Sequence, residues 1–153
     1  MSALVLALPA VAACMGEPYS SVAIFMDGSA LQVRLADCPP SPVTRVRIIP
    51  RRTTKDNLLD ESVPSVWQVS FPKPTVAGVL TVGDEAPPGG TLDVPLAAPL
   101  DPATEYVALF RTGVHEQAYE TFEPAELHDG RVRFSDAYIS HDEFERRSAC
   151  TKQ

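Results

Sequence analysis

Residues 100–110, Leu100-Asp101-Pro102-Ala103-Thr104-Glu105-Tyr106-Val107-Ala108-Leu109-Phe110, pass from a polar segment holding one proline into five consecutive apolar residues. A run that short, apolar on both faces and bounded by breakers, reads as a strand buried on both sides rather than a helix. Residues 22–26 repeat the pattern. One face of each strand must fill a core, so Ala23, Phe25, Val107 and Leu109 need a second cover. The C-terminal helix or the long proline-rich loops are expected to supply it; an exposed apolar patch for a partner is the other outcome.

Outward from these two strands the chain alternates. Leu31, Val33 and Leu35 are separated by Gln32 and Arg34, Val46 and Ile48 by Arg47, Trp67, Val69 and Phe71 by Gln68 and Ser70, and Leu92, Val94 and Leu96 by Asp93 and Pro95. Period-two alternation is the mark of a half-buried strand. Pro95 cannot donate to a ladder, which assigns its strand to a sheet edge. Asp27-Gly28 predicts a hairpin, and Pro39-Pro40, Pro87-Pro88-Gly89-Gly90 and Asp129-Gly130 predict loops. About nine strands with no alternating helices predict an antiparallel sandwich. The 153 residues suit one ordinary domain, and fifteen prolines oppose long helices. One helix is predicted, over residues 141–148: Ser140-His141-Asp142-Glu143 has a capping-box spacing, and Arg146 and Arg147 close the last turn. Phe144 is its only large apolar residue, so packing alone should hold it weakly.

The opening segment resembles the L-x-P-x-T-x-Y-x-V-x-V stretch of fibronectin type III domains. The resemblance implies an all-β, antiparallel immunoglobulin/fibronectin III-like β-sandwich. In it Leu100, Pro102 and Tyr106 form a tyrosine corner, Pro102 sets the turn, and Tyr106, Ala108 and Phe110 point inward. Trp67 lies later in the chain than that family's core tryptophan, and a disulfide is not a family feature.

Residues 3–13 form an uncharged apolar run ending at Cys14. Eleven residues are too few for a membrane span, which needs about 20, but they fit the apolar region of a secretory signal. Val11-Ala12-Ala13-Cys14 resembles the lipobox of bacterial lipoproteins. The resemblance implies that residues 1–13 are a cleaved signal peptide and that Cys14 carries diacylglycerol and becomes the new N-terminus. Residues 14–18 would then be a short tether and residues 19–153 the sandwich domain closed by its helix. Met1-Ser2-Ala3 lacks the usual Lys or Arg, which reads as a leader that begins upstream. The competing readings are a secreted chain without lipid and a buried N-terminal element of a cytosolic protein. With Cys14 lipidated, Cys38 and Cys150 remain, and in an oxidising compartment they make one disulfide across a loop of about 110 residues; two buried thiols are the alternative. Taken together, Cys38-Pro39-Pro40, Val66-Trp67, Ala86-Pro87-Pro88-Gly89, the Leu100 to Tyr106 segment and the stretch from Phe144 to Cys150 resemble small actinobacterial lipoproteins, a family without an established activity. Three Lys against ten Arg and a single Asn agree with a GC-rich genome.

The net charge of −7 opposes nucleic-acid binding. Charge is uneven, net +5 over residues 34–55 and net −12 over residues 57–145. Arg45, Arg47, Arg51, Arg52 and Lys55 are therefore a candidate membrane-facing basic cluster for a domain tethered close to anionic headgroups; a solvated face is the plainer alternative. His115, His128 and His141 each precede an acid but stand in no metal-ligand spacing. No nucleophile elbow or phosphate loop occurs, so neither a metal, a cofactor nor a catalytic residue is assigned. The expectation is a membrane-anchored extracytoplasmic lipoprotein acting as a non-catalytic binding or scaffold module at the cell envelope, with an envelope protein as candidate partner. The alternative is a secreted enzyme or metal-binding accessory protein whose scattered His and acids converge in one cleft.

Overall fold

The computed structural model describes residues 22–113 and 117–148. The strands are β1 (Val22–Asp27), β2 (Ala30–Leu35), β3 (Val43–Pro50), β4 (Trp67–Thr75), β5 (Leu80–Val82), β6 (Thr91–Val94), β7 (Tyr106–Arg111), β8 (Gln117–Phe122), β9 (Arg131–Phe134) and β10 (Ala137–Ser140). A 3-10 helix, Pro124–Leu127, follows β8, and α1 (His141–Ser148) ends the described chain. The strands form two five-stranded antiparallel sheets ordered β10-β9-β1-β2-β5 and β6-β4-β3-β7-β8. This is the all-β sandwich of the predicted class. The described residues carry ten strands, in keeping with the roughly nine expected, and β9 and β10 extend the first sheet beyond β1.

Alternation sets which face is buried. Val22, Ile24, Val33, Val46, Ile48, Trp67, Val69, Ala108, Phe110 and Phe122 meet between the sheets. Tyr106 joins them and opens β7, while its hydroxyl accepts a hydrogen bond from the Asp101 backbone N–H at 3.0 Å. The Asp101 carboxylate accepts from the Ala103 N–H at 2.9 Å, which closes the turn around Pro102.

The second cover differs between the two sheets. Outside the first, Ala23 packs with Val132, Phe134, Ile139 and the fully buried Phe144 of α1. Outside the second, Ile49, Val107 and Leu109 lie under Leu59 and Val63 of the β3–β4 connection. Both doubly apolar strands are thus covered, one by the helix and one by a loop.

The helix is held by more than its sequence suggests. Phe144 meets Phe134 edge-on at 5.2 Å between centroids, the Arg34 guanidinium lies 4.6 Å over the Phe144 ring, and Arg147 lies 5.5 Å over Phe134. The Ser140 hydroxyl accepts from the Glu143 N–H at 3.2 Å, while the Glu143 carboxylate turns to Arg147 at 3.6 Å. One half of the capping box is therefore made, and the other half is exchanged for an i,i+4 ion pair.

Breakers fall where a ladder can spare them. The β1–β2 turn comprises Gly28 and Ser29, one residue later than Asp27-Gly28 implies, because Asp27 still pairs with Ala30. Gly28 takes φ 61°, which glycine adopts without a steric penalty. Pro72 and Pro74 sit inside β4 where the β3–β4 register slips between Val43 and Arg45, so no ladder donor is lost. Pro95 lies just past β6, an edge strand.

Candidate functional site

The end of the sandwich where β1 begins brings the β2–β3 connection and the end of α1 together. Val22 pairs with Leu35, and the chain then runs through residues 36–42 to β3. Cys38 lies in that connection, exposed, with its Sγ 3.8 Å from the Ser148 carbonyl oxygen at the end of α1. Arg34 ties the same helix down, its guanidinium 3.4 Å from the Ser148 hydroxyl and 3.8 Å from Glu145. Cys14, Cys150 and His115 lie outside the described residues.

The five basic residues do not make one patch. Arg45 and Arg47 project from β3 on the same outer face as Ile49, whereas Arg51 and Arg52 lie past the strand end and Lys55 in the loop beyond. Arg47 is a clamp: its guanidinium donates to the Ser65 hydroxyl at 2.8 Å and to the Glu61 and Val63 carbonyls at 3.1 and 2.9 Å. These bonds hold the loop that covers Val107. Burial lowers the Arg47 pKa from its ordinary value, with repulsion from Arg45 next and from Arg111 smaller, while Glu61 opposes the fall. Arg51 pairs with Glu105, to which it is also joined by a backbone hydrogen bond of 2.8 Å. Arg52 and Lys55 are exposed.

The described histidines sit apart. His128 contacts the Ala125 carbonyl and Asp129 at the end of the 3-10 helix, and His141 opens α1 beside Phe25 and Glu145. Among the described residues no group of three or more His, Cys, Asp or Glu is placed to hold a metal ion. None of the helices there is long and apolar enough to cross a membrane.

Two concave regions were not legible beforehand. The first, about 660 Å³, opens between the β4–β5 and β5–β6 connections; Phe71, Leu80 and Pro87 line it with the exposed Val76 and Val79, and Asp84 and Glu85 add acid. Gly90 lets one wall close, since a Cβ there would stand 2.9 Å from Pro87 and 3.0 Å from Phe71. The second, about 360 Å³, is polar and includes Arg51, Glu105, Arg133, Asp136 and Tyr138. Behind it Glu120, only 5% exposed, accepts from Arg133 Nε at 2.9 Å and from the Thr121 and Asp136 N–H groups at 3.1 Å each. This carboxylate stitches β8 of one sheet to the β9–β10 hairpin of the other. One signal pointed to it: in Ala118-Tyr119-Glu120-Thr121-Phe122 the acid shares a face with two inward apolar residues. Comparisons with protein-family models, with curated proteins and with solved structures return no match.

Proposed function

We propose that this chain is an extracytoplasmic lipoprotein, held on the membrane by a diacylglycerol-modified Cys14. Residues 1–13 are its cleaved signal, and the sandwich is a non-catalytic binding or scaffold module for a partner at the cell envelope. Cys38 and Cys150 form its disulfide. The observation that carries this reading is the approach of Cys38 Sγ to the Ser148 carbonyl oxygen, 3.8 Å, two residues before Cys150 and at the end of the sandwich where β1 begins. A disulfide there would fasten the last turn of α1 beside the point at which a lipid tether reaches the fold. Such a bond would have a mechanical task, and the oxidising compartment that a lipobox implies would let it form.

Mass spectrometry of the protein from membranes of its native host tests the reading. The expected result is an N-terminal Cys14 bearing diacylglycerol, with residues 1–13 absent, and a non-reducing peptide map that joins Cys38 to Cys150. A chain that retains residues 1–13, with three reduced and unmodified cysteines, recovered from the cytoplasm, overturns it.

A further inference from the structure

Arg45 and Arg111 are cross-strand partners in the β3–β7 ladder. Both stand on the outer face that carries Ile49, Val107 and Leu109, and both are half-buried. Like charges directly opposite one another destabilise a sheet, so such a pair calls for a counter-charge. Among the described residues neither arginine makes an ion pair. Of the described acids on this face, Glu61 accepts from Gln117 Nε2 at 3.0 Å and its charge acts on Arg47, while Asp93 accepts from Gln68 Nε2 and the Ser70 hydroxyl at 3.1 Å each. Arg47 adds a third positive charge beside the pair. The Arg111 Nε is buried and has no hydrogen-bond partner among the described residues. Two guanidiniums, partly removed from water and offering fork-shaped donors, suit a tetrahedral oxyanion better than a lone carboxylate.

We propose that Arg45 and Arg111 form a phosphate-binding site, and that the phosphate is the headgroup of an anionic phospholipid at the anchored end of the domain. The source of the phosphate rests on the lipoprotein reading; the site itself does not. Position supports that source. Arg45 lies near the start of β3, directly after the connection that holds Cys38, and Arg111 ends β7. Seven residues lie between Cys14 and Val22, so the chain from one to the other reaches at most about 28 Å, which would keep this end of the sandwich near the lipid surface. Arg51, by contrast, lies about 20 Å further along the strand direction and is already paired.

Nuclear magnetic resonance of arginine Nε–H groups in the full chain tests this, first with inorganic phosphate and then with lipid nanodiscs of phosphatidylglycerol or phosphatidylcholine. The Arg45 and Arg111 signals are expected to shift saturably with phosphate, and with phosphatidylglycerol but not phosphatidylcholine. Arg45→Gln and Arg111→Gln should each weaken phosphate binding about tenfold, the loss of one charge-assisted fork, while Arg52→Gln leaves it unchanged. In phosphate-free buffer Arg45→Gln should raise the melting temperature, whereas a merely structural arginine would lower it on removal. Absence of a saturable shift with phosphate, or equal weakening by Arg52→Gln, overturns the site. A shift with phosphate but not with phosphatidylglycerol overturns the headgroup as its source. Finding Cys14 unacylated would sink the lipoprotein reading and leave the phosphate titration standing.

Discussion

The Tyr106 hydroxyl reaches back five residues to accept the Asp101 backbone N–H at 3.0 Å, while its ring packs against Phe122 with centroids 5.9 Å apart. One side chain thus fills core volume and fixes the connection into β7. Tyr106→Phe keeps the ring and leaves the Asp101 N–H without its acceptor. The expected loss is about 1 kcal/mol in denaturant unfolding, with no change of fold. A variant as stable as the parent would show that water replaces the bond without cost.

Glu120 and Arg133 are a buried ion pair between sheets, 5% and 16% exposed at the side chain. Glu120→Ala leaves a guanidinium in a poorly solvated place and frees two backbone donors. It should cost about 3 to 5 kcal/mol. Replacing both residues by apolar ones of similar size should recover much of that loss, which a double-mutant cycle by chemical denaturation would measure.

Phe144 is the residue through which α1 covers the first sheet. Phe144→Ala should destabilise the domain by about 3 to 5 kcal/mol. Hydrogen exchange should accelerate first in α1 and then in β9 and β10. Equal acceleration throughout the sandwich would mean that the helix does not unfold as a separate unit.

Burial raises the Tyr138 pKa above the ordinary tyrosine value, against a hydrogen bond from the Glu123 N–H and the charge of Arg133, which lower it. A raised acid favours its neutral form in the fold. Its contribution is therefore complete below the unfolded value of about 10 and is lost as pH climbs through the higher folded value. Ultraviolet titration of the folded protein should show a late-ionising tyrosine that disappears in Tyr138→Phe.

Gly90 marks a close approach, with no room for a Cβ between Pro87 and Phe71. Gly90→Ala should push the β5–β6 connection off Phe71 at a cost of about 1 to 3 kcal/mol. The tryptophan and aromatic near-ultraviolet signal offers the simplest readout of that displacement.

The architecture was legible because its signals are local. Alternation identified β2, β3 and the start of β4, and a capping serine with terminal arginines placed α1 at residues 141–148, where the structure has it. What was hidden depends on pairs distant in sequence. The β9–β10 hairpin escaped notice because its turn uses Ser135 and Asp136 at φ 49° and 60°, left-handed positions filled without the glycine that usually advertises them. The basic cluster was read along the chain, which grouped Arg45 with Arg51 and omitted Arg111. Register reverses that grouping, since Arg45 faces Arg111 across β3 and β7 and Arg51 turns to Glu105. The helix looked weakly attached because a composition count sees one phenylalanine, not the arginine that stacks on it from β2.

β1 lies between β2 and β9, hydrogen-bonded on both flanks. A force applied to the chain ahead of Val22 must rupture two ladders rather than peel a border strand from one. That resistance is completed by β9, a strand synthesised about a hundred residues after β1. Until residues 131–134 dock, β1 has an open border that a second molecule could pair with, so a partly made chain is most vulnerable to intermolecular association before that segment arrives.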